Sequence, residues 1–173
     1  MADNIDEELH GLVKSIVDEL EAAVAGNLYK TDGGDFRVIE DMDGWKEDRH
    51  SEKVEAFEAS DADEKWDPNE FPSFEDYRKH CVGTPDDVDE PEQATVADVI
   101  ETRGLGDTRF EVNTSKELCG GKTLFTFGGP NIWVHDNMVC GYWGGKTVEM
   151  TFNSETRSAM FDWFKEFWEV VKA

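Results

Sequence analysis

A chain of 173 residues with six Trp and eleven Phe is long enough to bury one core, yet it is only 38% hydrophobic and 33% charged, which implies a small core under a heavily solvated surface. Its net charge of −23 argues against direct binding of nucleic acid, whose phosphates would be repelled. No apolar run approaches the length that spans a bilayer, no basic and apolar leader opens the chain, and three Cys (81, 119, 140) form no CxxC pair, so the expected setting is a reducing cytoplasm.

The charge is unevenly placed. Residues 1–103 hold 31 acidic and 10 basic residues, a net of −21, whereas residues 104–173 hold 9 and 7, a net of −2. Acidity serving only solubility or adaptation to salt would spread over every exposed surface, so the skew favours a local electrostatic task with a basic protein as its complement.

In chain order, residues 4–25 read as an amphipathic helix. Asp3 or Asn4 caps its start, Gly26 stops it, and Ile5, Leu9, Leu12, Val13, Ile16, Val17, Leu20 and Val24 form one stripe opposite Glu8, Lys14, Asp18 and Glu21. Asp32 to Asp35 is a turn, Phe36 to Ile39 a strand, Asp43-Gly44 a further turn, and Lys53 to Ala59 either strand or helix. Residues 60–70 have loop composition, with Trp66 as their anchor. A short helix follows from Ser73 to Cys81 with Phe74, Tyr77 and Cys81 on one face, and residues 84–92 read as an acidic linker too polar to pack.

Beyond a short helix at 95–102, the signals become those of strands at 109–114, 122–127, 132–135, 138–143 and 147–152. Asp136-Asn137 makes a two-residue hairpin loop, and Gly128-Gly129-Pro130-Asn131 a turn that sets the entry of the next strand. Asn153 or Ser154 caps a closing helix whose stripe is Met160, Trp163, Phe164, Phe167 and Val171, widened by Phe161 and Trp168. That excess of aromatic area calls for a cover: the first helix, a twin subunit in a homodimer, or a partner. The fold class is therefore α+β: an N-terminal amphipathic helix and an acidic irregular segment (1–92), then a small antiparallel sheet of four or five strands with a closing aromatic helix (93–173).

Chemical motifs are sparse. Two Gly-Gly-Lys-Thr strings, at 120–123 and 144–147, lack the upstream Gly of a phosphate loop, lead into strands, and read as hairpin turns with a solvated Lys. Asp61 to Trp66 begins like a calcium loop but has Lys65 at a ligand position and Trp66 where Gly makes the turn. His10, His50, His80 and His135 share no ligand spacing, and no Ser or Cys sits in an activating context. The expectation is a protein that is not an enzyme, with no metal and no cofactor.

The stretch GGPNIWVHDNMVCGYWGG, followed by a strand and the DWFKEFW helix, resembles a family of small acidic proteins of bacterial phages, plasmids and conjugative elements. The likeness covers residues 110–171. It implies accessory work for a mobile element, a setting in which antirestriction and anti-CRISPR inhibitors occur, without implying a reaction.

Charge and setting together lead to a first expectation, a DNA mimic that occupies the groove of a basic nucleic-acid-binding protein or complex. Its candidate contact residues are Glu8, Asp18, Glu21, Asp41, Asp43, Glu47, Asp48, Asp61, Asp63, Glu64, Asp67, Asp86, Asp87, Asp89 and Glu90. The alternative is an immunity or adaptor protein that binds one partner through exposed aromatics, with Trp143 and Trp168 as anchors.

Overall fold

A computed structural model of the chain describes residues 2–172 apart from 32, 61, 105 and 126–128, and the side chains of these except 2–4, 63 and 64. Helix α1 (Ala2–Ala25) leads into a hairpin of β1 (Leu28–Lys30) and β2 (Phe36–Val38). Helices α2 (Met42–Glu58), α3 (Ala62–Lys65) and α4 (Phe74–Val82), a 3-10 turn at Pro85–Asp87, and α5 (Val96–Arg103) follow. The chain then forms β3 (Thr108–Val112), β4 (Leu118–Leu124), β5 (Asn131–His135), β6 (Met138–Trp143), β7 (Lys146–Thr151) and α6 (Ser154–Val171). The protein is α+β, and β3 to β7 are an antiparallel meander in chain order.

Two compact units result, Met1–Val38 with Glu92–Ala173, and Ile39–Pro91. This differs from a division into 1–92 and 93–173, because the stripe of α1 is buried on the sheet. Leu9, Val13, Ile16 and Leu20 join Ile132, Val134 and Val139 of the strands and Met160 and Phe164 of α6 in one core. Leu12, expected in that stripe, is 41% exposed.

Two glycines set how closely the helices approach. A Cβ on Gly141 of β6 would lie 2.7 Å from both Leu9 and Val13, and one on Gly121 of β4 would lie 2.5 Å from the ring of Phe164. Gly121 therefore lies inside a strand, so the first Gly-Gly-Lys-Thr string is no hairpin turn: β4 begins at Leu118 rather than Lys122. The second string is a turn, with Gly144 at φ +56 and Gly145 at φ +79, but its Lys146 is ion-paired with Asp6 of α1.

The Asp136-Asn137 loop joins β5 to β6 as expected. Of the Gly-Gly-Pro-Asn turn, Gly128 lies outside the described residues, as does Phe127, and Asn131 opens β5. Asn153 caps α6 by accepting from the Thr156 amide at 2.9 Å. Of the widened stripe of α6, Phe167 and Trp168 meet Phe110 of β3 at ring distances of 5.7 and 5.3 Å, whereas Val171, expected in that stripe, is 56% exposed.

The hairpin β1–β2 is also tied to the chain beyond residue 91. Lys30 N donates to Glu92 O and Ala94 N to Leu28 O, each at 2.8 Å, while Leu28 pairs with Val38 on the other side. Lys30 bridges Glu92 and Asp98, and Asp98 also accepts from the Thr95 amide and hydroxyl.

The unit Ile39–Pro91 is helical where the sequence suggests an irregular segment. Asp41 caps α2 by accepting from Gly44 N at 3.1 Å, so Asp43-Gly44 is the first turn of a helix rather than a loop, and Lys53 to Ala59 is its end. The rings of Phe57, Phe71, Phe74 and Tyr77 gather at 5.3 to 6.2 Å, with Trp66 against Phe74 and Trp66 Nε1 donating to Phe71 O. Residues 84–92 pack as well: Val88 is buried, and Thr84 and Asp87 form a reciprocal cap.

Replacing Gly121 by Ala pushes a methyl into Phe164 and is expected to cost about 1–3 kcal/mol of stability in urea titration; a variant as stable as the parent would contradict the close packing of α6. Asp98 has its pKa lowered to about 2 by the Lys30 and Thr95 hydrogen bonds. Its contribution is thus present above about pH 4 and fades as pH falls through about 2. Asp98→Asn should therefore be less stable than the parent by about 1 kcal/mol at pH 7, and the gap should shrink in titrations at successively lower pH.

Candidate functional site

The most acidic part of the molecule is the unit Ile39–Pro91, which holds 19 acidic and 6 basic residues for a net charge of −13. Helix α2 organises it. Met42, Trp45, Lys46, His50, Val54 and Phe57 are its half-buried positions. His50 Nε2 lies 3.1 Å from the Gly83 carbonyl, which can only accept, so Nε2–H donates and ties α2 to the end of α4.

Glu47, Asp48, Ser51, Glu52, Glu55 and Glu58 are all exposed. At about 100° per residue they fall within an arc of roughly 140°, and Lys46 and Lys53 lie outside it. From Glu47 to Glu58 the helix rises about 16 Å, one carboxylate for about every 4 Å of axis. Successive phosphates along one DNA strand are spaced about 3.4 Å along the axis. Glu52 is paired with Arg49 at 2.7 Å and Glu58 with Arg78 at 3.2 Å. Among the described residues, no basic side chain lies within 4.0 Å of Glu47, Asp48 or Glu55.

The sequence-derived candidates divide by what their carboxylates do. Asp43, Glu47 and Asp48 are exposed on α2, and Asp86 and Asp89 are exposed near the 3-10 turn. Others are engaged in holding the chain: Asp41 caps α2, Asp67 accepts from the Asn69 amide and side chain, and Glu90 pairs with Lys46 at 2.7 Å. Asp87 accepts from Thr84, and those bonds hold its pKa below the usual carboxylate range. Asp61 lies outside the described residues, as do the side chains of Asp63 and Glu64.

On α1, in the other unit, Glu8 is exposed and Asp18 is paired with Lys14. Glu21 turns away from the outer face to accept from the Asn153 amide at 2.8 Å, fastening α1 to the start of α6. Sequence reasoning misses Glu52, Glu55 and Glu58; their three- and four-residue spacing after the Asp41 cap is the signal that finds them.

Neither aromatic anchor stands free. Trp143 is half-buried against the core and Trp168 lies against Phe110. Among the described residues no three His, Cys, Asp or Glu side chains gather as metal ligands would, and Cys81, Cys119 and Cys140 are free thiols. No helix is long and apolar enough to cross a membrane among the residues described.

Because Trp168 is packed, Trp168→Ala should lower stability by about 2 kcal/mol or more in chemical denaturation; an unchanged midpoint would return this residue to the surface.

Comparison with protein-family models, curated proteins and solved structures finds no match for this chain.

Proposed function

We propose that the protein is a non-enzymatic inhibitor that acts by DNA mimicry, presenting the exposed carboxylates of α2 to the groove of a basic nucleic-acid-binding protein. The observation that carries this reading is the exposed face from Glu47 to Glu58, where carboxylate spacing along the axis approaches that of phosphates on one strand. The net charge of −13 on Ile39–Pro91 adds a long-range field that draws a basic partner in. Cytoplasmic accessory work for a mobile element, of the antirestriction or anti-CRISPR type, is the setting in which such a protein acts, and a host defence complex is its target.

Such binding rests on a collective field, so it weakens steeply with salt and tolerates loss of any one charge. The test is capture of a defined nuclease, restriction or CRISPR complex from bacterial lysate by the full chain. Bound complex should be displaced by competing duplex DNA. Replacing Glu47, Asp48 and Glu55 together by Gln should abolish capture, whereas each single replacement should weaken it only about threefold or less. Capture that survives both the triple replacement and excess duplex DNA would overturn the reading.

A further inference from the structure

The five-stranded sheet has two unlike faces. Ile132, Val134, Val139 and Gly141 point inward, toward α1 and α6. Alternation places Lys122, Trp133, His135, Cys140 and Tyr142 on the outer face, where pairing sets Lys122 beside His135, and Trp133 beside Leu124 and Cys140. Helix α5, the third helix of this unit, packs on α1 and α6, on the inner side.

On that outer face the indole of Trp133 carries two cations, with the Arg109 guanidinium 5.0 Å and the Lys122 ammonium 5.3 Å from the ring centroid. Arg109 and Lys122 are cross-strand neighbours of β3 and β4. Arg109 spends two of its donors on Asp107. Lys122 differs from every other described basic residue: the others either pair with a carboxylate or are exposed, whereas Lys122 is half-buried with no carboxylate of the described residues within 4.0 Å. In a chain with 40 acidic and 17 basic residues, Lys122 rests on the face of Trp133 and on no carboxylate of the described residues, which leaves its charge open to an anion. Its neighbour His135 has its pKa lowered by burial and by Lys122, against the opposing pull of Asp136, Glu111 and Glu149.

We infer that the outer face of the sheet is a docking surface for an extended, largely apolar peptide of a protein partner that carries one carboxylate, which seats on Lys122 and Arg109 above Trp133. A single carboxylate fits better than a phosphate chain, because the net charge of −23 repels a polyanion at long range and Glu111 and Glu149 on the same face confine the cationic patch to Lys122 and Arg109. The half-buried indole of Trp133 and the 41% exposed Tyr142 give apolar surface beside the cations for the residues flanking that carboxylate. The site belongs to a different unit from the carboxylate face of α2, so the two readings stand or fall apart.

The test is an NMR titration of the full chain, labelled with nitrogen-15, with capped hexapeptides that carry a central Glu between Leu and Val, their Gln analogues, and a dT hexanucleotide. The Glu peptide should shift the Trp133 indole and the Lys122 and His135 amides, with an affinity about tenfold above that of its Gln analogue. Lys122→Gln should remove that preference, Lys122→Arg should keep it, and replacing Glu47, Asp48 and Glu55 by Gln should leave it unchanged. Equal binding of the Glu and Gln peptides, no shift at these residues at millimolar peptide, or tighter binding of the oligonucleotide would each overturn the inference.

Discussion

Two helices, each reaching bare backbone at one point, govern the sheet-bearing unit. Ordinarily side chains keep a helix away from a sheet, but at Gly141 the side chains of Leu9 and Val13 rest on the peptide of β6, and at Gly121 the ring of Phe164 does the same on β4. The consequence is a core that joins the first helix of the chain to its last. Leu9, Val13 and Phe164 are fully buried, and each such side chain contributes on the order of 1.5–3 kcal/mol from apolar area removed from water. The sheet could not gain this with alanine at those two positions, which explains why Gly occurs inside strands where it is otherwise unfavourable.

Charge is weighted differently in the two units. Where the sheet lies, three cations join separate elements: Lys146 reaches Asp6, Arg103 reaches Glu19, and Lys30 reaches Glu92 and Asp98. Exposed pairs of this kind add little individually, and their effect is to fix which element lies beside which. In Ile39–Pro91 carboxylates outnumber cations threefold, so cations cannot pair with all of them. Part of that acidity is structural, as at Asp41, Asp67 and Asp87, and the rest is a field available to something outside the chain.

The terminal helices and the later strands are legible in the sequence because their apolar residues keep a single period, as at Leu9, Val13, Ile16 and Leu20, or at Met160 and Phe164. Helix α2 is not, since its packing side mixes Met42 and Phe57 with Lys46 and His50, and Gly44 imitates a turn. The small aromatic core beneath it is drawn from Phe57, Trp66, Phe71, Phe74 and Tyr77, which no one window of sequence brings together. Composition locates the acidic candidates, but which carboxylates are spent on caps depends on hydrogen bonds that composition does not encode. The cations over Trp133 are invisible for a related reason: three residues on three strands meet only through register.

The strand β1 has one neighbour on each side, Val38 against Leu28 on one edge and residues 92–94 on the other. The chain therefore leaves for residue 39 and returns at 92 from points only about 10 Å apart, two strand spacings. A segment whose ends are pinned so closely can be lengthened, exchanged or rewritten without stretching its host. Strand β1 thus works as a socket, and everything between residues 39 and 91 can be replaced while the sheet and the helices packed on it stay intact.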